Sequence, residues 1–153
     1  MHKEVPAGYP WGSAPGVRQV RQGRPAMTVQ LNHTIVAARD KRVSARFLAD
    51  ILGLDVSPPY GPFLPVEIPN GVTLDYMDSP GAITSQHYAF LVSEDEFDQI
   101  FARIREAGLR YWADPFHSRP GEINHNDGGR GTYFDDPDGH RLEIITRPYG
   151  SGG

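Results

Sequence analysis

Apolar residues recur along this chain with two different periods, and the switches between them mark out its elements. Val29 to Ala37 is an apolar run of strand character, and Asp40 can cap a helix after it. In that helix Val43, Phe47, Leu48, Ile51 and Leu52 recur at helical spacing, and Gly53 supplies the stop. Short extended pieces follow, broken by Pro58-Pro59, Gly61-Pro62 and Pro65, which prolines confine to edges and turns. Asn70-Gly71 is a hairpin signal leading into Val72 to Met77. After a linker over residues 78–84 the order repeats. Gln86 to Val92 is extended, and Ser93-Glu94-Asp95-Glu96 reads as a capping box. Phe97, Ile100, Phe101 and Ile104 form the second helical stripe, and Gly108 ends it. Leu109 to Ala113 is a short strand. His117 to Gly131 is a long polar loop with four glycines, the composition of a mobile lid. Asp136-Pro137-Asp138-Gly139 is a tight turn, and His140 to Thr146 is the last strand.

Two phrases occur twice. Asn70-Gly71-Val72-Thr73-Leu74-Asp75-Tyr76 parallels Asp138-Gly139-His140-Arg141-Leu142-Glu143-Ile144, and Asn32-His33 parallels Gln86-His87 at the start of each copy. The chain therefore reads as an α+β duplication, with one module over about residues 29–78 and a second over about 85–148. Each module carries a His on its first strand and a carboxylate on its last. Strand alternation sets Glu143 on the face opposite Leu142 and Ile144, among Arg141 and Ile145, where a carboxylate needs a cation.

If the copies pack as a pseudo-symmetric pair, His33, Asp75, His87 and Glu143 converge on one face. Two imidazoles with one or two carboxylates suit a single divalent ion: Zn2+, Ni2+, Mn2+ or Fe2+. Asp75 is one methylene shorter than Glu, so it either ligates directly or only orients a water or a His.

Composition narrows the classes. At 153 residues, 39% hydrophobic and 22% charged, residues 27–150 are expected to form one globular domain with a core. A formal charge of −4 gives no electrostatic reason to expect nucleic acid or an anionic membrane as partner. The lack of cysteine removes disulfide and thiolate chemistry and suits a cytoplasmic setting. Residues 1–26, rich in Pro and Gly and without periodicity, read as a flexible extension, with Met27 as an alternative start; residues 151–153 read as a short tail.

The duplication, the His on each first strand and the phrase from Tyr133 through Asp136-Pro137-Asp138-Gly139 to Glu143 resemble the vicinal oxygen chelate superfamily. Its members include glyoxalase I, extradiol dioxygenases, and fosfomycin and bleomycin resistance proteins. The resemblance spans about residues 29–148 and implies two βαβββ modules forming a curved, mostly antiparallel sheet cup with helices outside. It also implies a metal chelating vicinal oxygens of a small-molecule substrate, as Lewis acid or O2-binding centre, in a homodimer. Ile123-Asn124-His125 and Tyr133 fall where the extradiol signature has its acid/base His and its Tyr, with Thr132 departing from the apolar residue expected there. That resemblance makes His125 the acid/base and Tyr133 a hydrogen-bonding partner of substrate or oxygen. Asp75 instead fits the four-ligand pattern of bacterial glyoxalase I. Arg130 among its glycines is a candidate for an anionic substrate, and Trp112 and Phe116 for a pocket wall. The alternative reading is a bleomycin-resistance-like protein that sequesters an aromatic or cationic compound without catalysis.

Overall fold

A computed structural model describes residues 28–152, so the expected extension over residues 1–26 lies outside the described residues. The elements run β1 (His33–Ala38), α1 (Lys41–Leu52), β2 (Phe63–Glu67), β3 (Thr73–Asp78), β4 (His87–Leu91), α2 (Glu94–Glu106), β5 (Tyr111–Trp112), β6 (Gly131–Asp135) and β7 (Arg141–Ile145). They make two open sheets, ordered β1-β3-β2 and β4-β7-β6-β5. In each, the first strand lies parallel to the last while the hairpin neighbours are antiparallel. The register repeats as the duplicated phrases require: Ile35 pairs with Asp75, and Ala89 pairs with Glu143. The first module is the shorter of the two. Its proline-rich stretch forms isolated bridges, Val56 to Val66 and Tyr60 to Phe63, where a further strand was expected. The expected α+β pair of modules is present, as two open sheets of mixed strands with one helix each.

Both helices start as the sequence predicts. Asp40 accepts from the Arg42 N–H, and Ser93 and Glu96 close a reciprocal capping box, each cap being worth about 1 kcal/mol. Gly53 takes φ +73°, the left-handed stop that a residue with a Cβ resists. The buried face of α1 differs from the predicted stripe. Ser44, Ala45, Leu48, Ala49 and Ile51 face inward while Val43 is exposed, because the small residues let α1 lie close to the sheet and against α2. One core joins the two modules, with Leu48, Tyr76, Phe97, Ile104, Phe134 and Leu142 all buried in it.

Polar clasps at the Asp136–Gly139 turn also tie the modules together. The Asp138 carboxylate accepts from the Arg39 N–H at 3.0 Å and the Ser44 hydroxyl at 2.5 Å, at the start of α1. His140, whose position in a polar turn suggests the surface, is fully buried instead. Its Nε2–H donates to the Ala37 carbonyl at 2.7 Å, and its Nδ1 accepts from the Gln86 N–H at 3.0 Å. A neutral imidazole in that tautomer satisfies both partners.

Candidate functional site

Alternation along the strands divides each sheet into a core face and an open face. Thr34, Val36, Leu74 and Tyr76 turn toward the core in the first sheet, leaving His33, Ile35 and Asp75 on the open face. The second sheet repeats this, with His87, Ala89 and Glu143 on its open face. Antiparallel pairing then sets Tyr133 of β6 directly beside Glu143, where Pro65 stands beside Asp75 in the first sheet. Only the second module therefore has an aromatic hydroxyl next to its carboxylate.

His87 and Glu143 are brought together, with Nε2 and Oε2 3.1 Å apart. The other ring nitrogen, Nδ1, lies 3.0 Å from the Arg141 carbonyl oxygen. A carbonyl only accepts, so Nδ1 carries the proton and Nε2 turns a lone pair toward the carboxylate. Two acceptors in contact are satisfied by a second proton on the ring or by a cation shared between them. Donors bonded at roughly 2.0–2.2 Å to one ion, at tetrahedral or octahedral angles, stand about 3.0–3.5 Å apart, and this pair has that spacing. The pair thus has the spacing of two ligands to one divalent ion, which would need further donors to complete its site. Glu143 is 9% exposed, deep enough for an unpartnered charge to be costly. The Tyr133 ring stacks on His87, with centroids 5.8 Å apart. Burial, and after it the adjacent Glu143 carboxylate, push the Tyr133 phenol well above its ordinary value, so it remains a donor at neutral pH.

The other expected ligands do not join them within one chain. His33 is exposed, its Nδ1 hydrogen-bonded only to the neighbouring Asn32 side chain at 2.7 Å, and Asp75 stays with it on the first sheet. Among the described residues, no group of three or more His, Asp or Glu side chains is placed to hold an ion. The reason is topological: β1 and β4 belong to separate sheets, so their open faces are not shared.

A cavity of about 620 Å³ opens over the pair, lined from the strands by His87, Ala89, Tyr133, Glu143 and Ile145. Asn124, Asn126, Asp127, Arg130, Arg147 and Tyr149 line the rest of it. Several expectations are corrected here. His125 is exposed and does not line the cavity, although both its neighbours do. Trp112 is buried and stacks on His117 at 3.6 Å, and Phe116 is 86% exposed; neither reaches the cavity. Nor is the long loop loose. Asn124 is buried and pairs with Gly131 through both backbone groups, while its side-chain amide donates to the Ala113 carbonyl at 2.9 Å. The Thr132 hydroxyl, at the position expected to be apolar, donates to the Trp112 carbonyl at 3.1 Å.

Arg130 is at the cavity, yet its guanidinium is already engaged. It pairs with Glu94 and Asp98, both at 2.7 Å, and lies 4.4 Å from the centroid of the Phe97 ring. That makes it a tie between the β6 edge and α2 rather than a free anion receptor. Arg130→Gln is expected to lower the melting temperature by several degrees in thermal unfolding; a variant as stable as the parent would return Arg130 to the candidates for ligand contact. Sequence reasoning missed Asp127, Arg147 and Tyr149. The first module ends at β3 and offers no repeat counterpart for them, though the Asp127-Gly128-Gly129 turn signal pointed to a built loop.

Among the described residues no helix is long and apolar enough to cross a membrane. Comparison with known proteins adds relatives. Residues 30–144 match the family described as the Glyoxalase/Bleomycin resistance protein/Dioxygenase superfamily. The solved structure of Oxidase ChaP-H2 is 83% identical, covering 83% of this chain and 100% of that chain, with a TM-score of 0.81. Oxidase ChaP-H1 is 66% identical, covering 80% of this chain and 98% of that chain, with a TM-score of 0.78. Glutathione transferase FosA of Serratia marcescens is 30% identical over 125 residues, 77% of this chain and 81% of that protein.

Proposed function

This chain belongs to the Glyoxalase/Bleomycin resistance protein/Dioxygenase superfamily, and from that premise we propose that it is a divalent-metal-dependent oxidase acting on a small molecule with two neighbouring oxygen atoms. The observation that carries the metal reading is the 3.1 Å approach of the His87 Nε2 lone pair to the Glu143 carboxylate. The choice of oxidation over isomerisation or thiol transfer rests on the 83% identity with Oxidase ChaP-H2 over the whole of that chain. In this reading His87 and Glu143 hold the ion together with the partner subunit's His33, in a homodimer that sets the open face of one first module against the second module of its partner. Asp75 travels with His33 and takes a place beside the ion or orients a water there. Two features support that assembly. His33 occupies in its module the position His87 occupies in the second, and Ile35 and Leu91, apolar and exposed, lie on the faces to be joined.

The bound ion, Fe2+ fitting a two-His, one-carboxylate set best, would supply Lewis-acid polarisation of the two substrate oxygens and a redox centre for dioxygen. The protein does the rest. The Arg141 carbonyl holds the Nδ1 proton of His87 and so keeps Nε2 free as a ligand. The protonated Tyr133 phenol, beside Glu143, donates a hydrogen bond to a substrate oxygen held there.

The test is metal analysis of the purified chain, followed by anaerobic loading with Fe2+ and oxygen-uptake measurement with a catechol. One divalent ion per chain and oxygen uptake confined to the Fe2+-loaded protein are expected. A chain that binds catechols tightly with metal only at trace level would replace this reading with that of a sequestering protein.

A further inference from the structure

Of the charged groups around the cavity, all but one have partners. Glu143 faces His87, and Arg130 is held by Glu94 and Asp98. The Asp127 carboxylate accepts from two backbone N–H groups, Gly150 at 3.1 Å through one oxygen and Gly152 at 3.0 Å through the other. Among the described residues Arg147 alone lines the cavity with no carboxylate within ion-pairing distance.

Its side chain nevertheless has a built seat. Asp127 takes φ +55° and Gly128 φ +76°, so this short turn folds back on itself in a backbone region where Gly and, more rarely, Asp are tolerated. The fold brings Gly129 under the stem of Arg147. A Cβ added at Gly129 would lie 2.6 Å from the Thr146 hydroxyl oxygen and 2.8 Å from Arg147 Cγ, so any side chain there would force Thr146 or Arg147 to shift. One added at Gly128 would lie 3.2 Å from a guanidinium nitrogen of the same arginine. The two glycines thus form a flat bed along which Arg147 lies from stem to head.

The following segment, residues 148–152, is fastened over this turn by the Asp127 carboxylate. Gly152 sits so close that a Cβ there would come within 2.4 Å of Asp127 Cα. The fastening holds the segment that carries Tyr149, 96% exposed, which lines the same cavity as Arg147. An exposed guanidinium laid on backbone, with no carboxylate partner among the described residues, is arranged to take an anionic oxygen from outside the chain.

We propose that Arg147, seated on Gly128 and Gly129 and steadied by the Asp127 clasp, is the specificity residue of this site: it reads an anionic oxygen on the substrate, at the end remote from His87 and Glu143. The inference rests on the preceding reading for the placement of the substrate's vicinal oxygens. It adds that the preferred substrates are those carrying a carboxylate or an ionised phenol besides that oxygen pair. The cation sequence reasoning placed at Arg130 is thereby assigned to a residue after the last strand.

The experiment uses the full chain, metal-loaded and metal-stripped, and two probes near neutral pH: catechol and its carboxylated analogue protocatechuate. Calorimetric titration of the metal-loaded chain is expected to give about tenfold tighter binding of protocatechuate, the scale of one charge-assisted contact. Arg147→Gln should bring the two affinities together, Arg147→Lys should keep part of the preference, and metal content should stay at the parent level in both. Gly129→Ala, which displaces the arginine without removing its charge, should lower the preference partway. Equal affinities in the parent protein, or an undiminished preference in Arg147→Gln or Gly129→Ala, would overturn the proposal. Metal removal is expected to weaken both probes alike and to leave their ratio standing. A ratio that persists while metal removal alters neither affinity would strike the metal reading and leave Arg147 in its role.

Discussion

His87→Ala is expected to yield a purified chain without stoichiometric divalent ion, and with turnover lower by about 100-fold or more once a substrate is in hand. The effect follows from the geometry of a single pair. His87 Nε2 and Glu143 Oε2 stand 3.1 Å apart, and the Arg141 carbonyl holds the imidazole in the tautomer that leaves Nε2 free. Removing the ring takes away one of the two groups that could hold the ion in this chain, and with the ion goes the cation that would offset the mostly buried Glu143 carboxylate. Breaking a fully buried pair costs roughly 3–5 kcal/mol. The cost here is smaller, because the His87 side chain is 48% exposed and water screens it. A modest fall in melting temperature should therefore accompany a complete loss of metal. Elemental analysis decides the matter: full metal occupancy in His87→Ala would remove this pair from the site.

The second large effect separates a site built between subunits from one built within a chain. His33→Ala should also lose its metal, although His33 lies on the other sheet and touches neither His87 nor Glu143 in its own chain. Mixing the His33→Ala and His87→Ala proteins under subunit exchange should then bring metal and oxygen uptake back. In a two-fold dimer with one mutant of each kind, one site lacks both histidines and the other has both. Random pairing therefore restores about a quarter of the parental sites. Recovery in the mixture, measured against each mutant alone, supports a site shared across the interface. No recovery under demonstrated exchange, or full metal in His33→Ala by itself, would confine the site to His87 and Glu143.

Much of this was legible because strand chemistry is local. Period-two alternation sends His87, Glu143 and Tyr133 to one face whatever the rest of the chain does, and the duplicated phrases put Asp75 and Glu143 at equivalent positions of the register. Caps and turns are local too, so Asp40, Ser93, Gly53 and Gly139 could be placed from a few neighbours. The misreadings have a common origin in contacts between distant segments. Nothing near Arg130 in the chain announces Glu94 and Asp98, which lie more than thirty residues earlier and are presented by one turn of α2. Likewise, nothing in the sequence around His140, the first residue expected in the last strand, announces the Ala37 carbonyl that the first module supplies to it. His125 stands in a polar loop that the Asn124 amide ties to the Ala113 carbonyl, a contact between segments eleven residues apart.

By itself the sequence determined the repeated α+β modules, the face each strand turns outward and the residue types able to hold a divalent ion, since each of these depends on neighbours within a few positions. Only the tertiary structure decided that His33 and His87 lie on separate sheets, that Arg130 is neutralised and that Arg147, on its bed of glycine, meets no carboxylate among the described residues. Those outcomes depend on which charges meet and which are buried, and Coulombic pairing and desolvation act through distances in space that no spacing along the chain encodes.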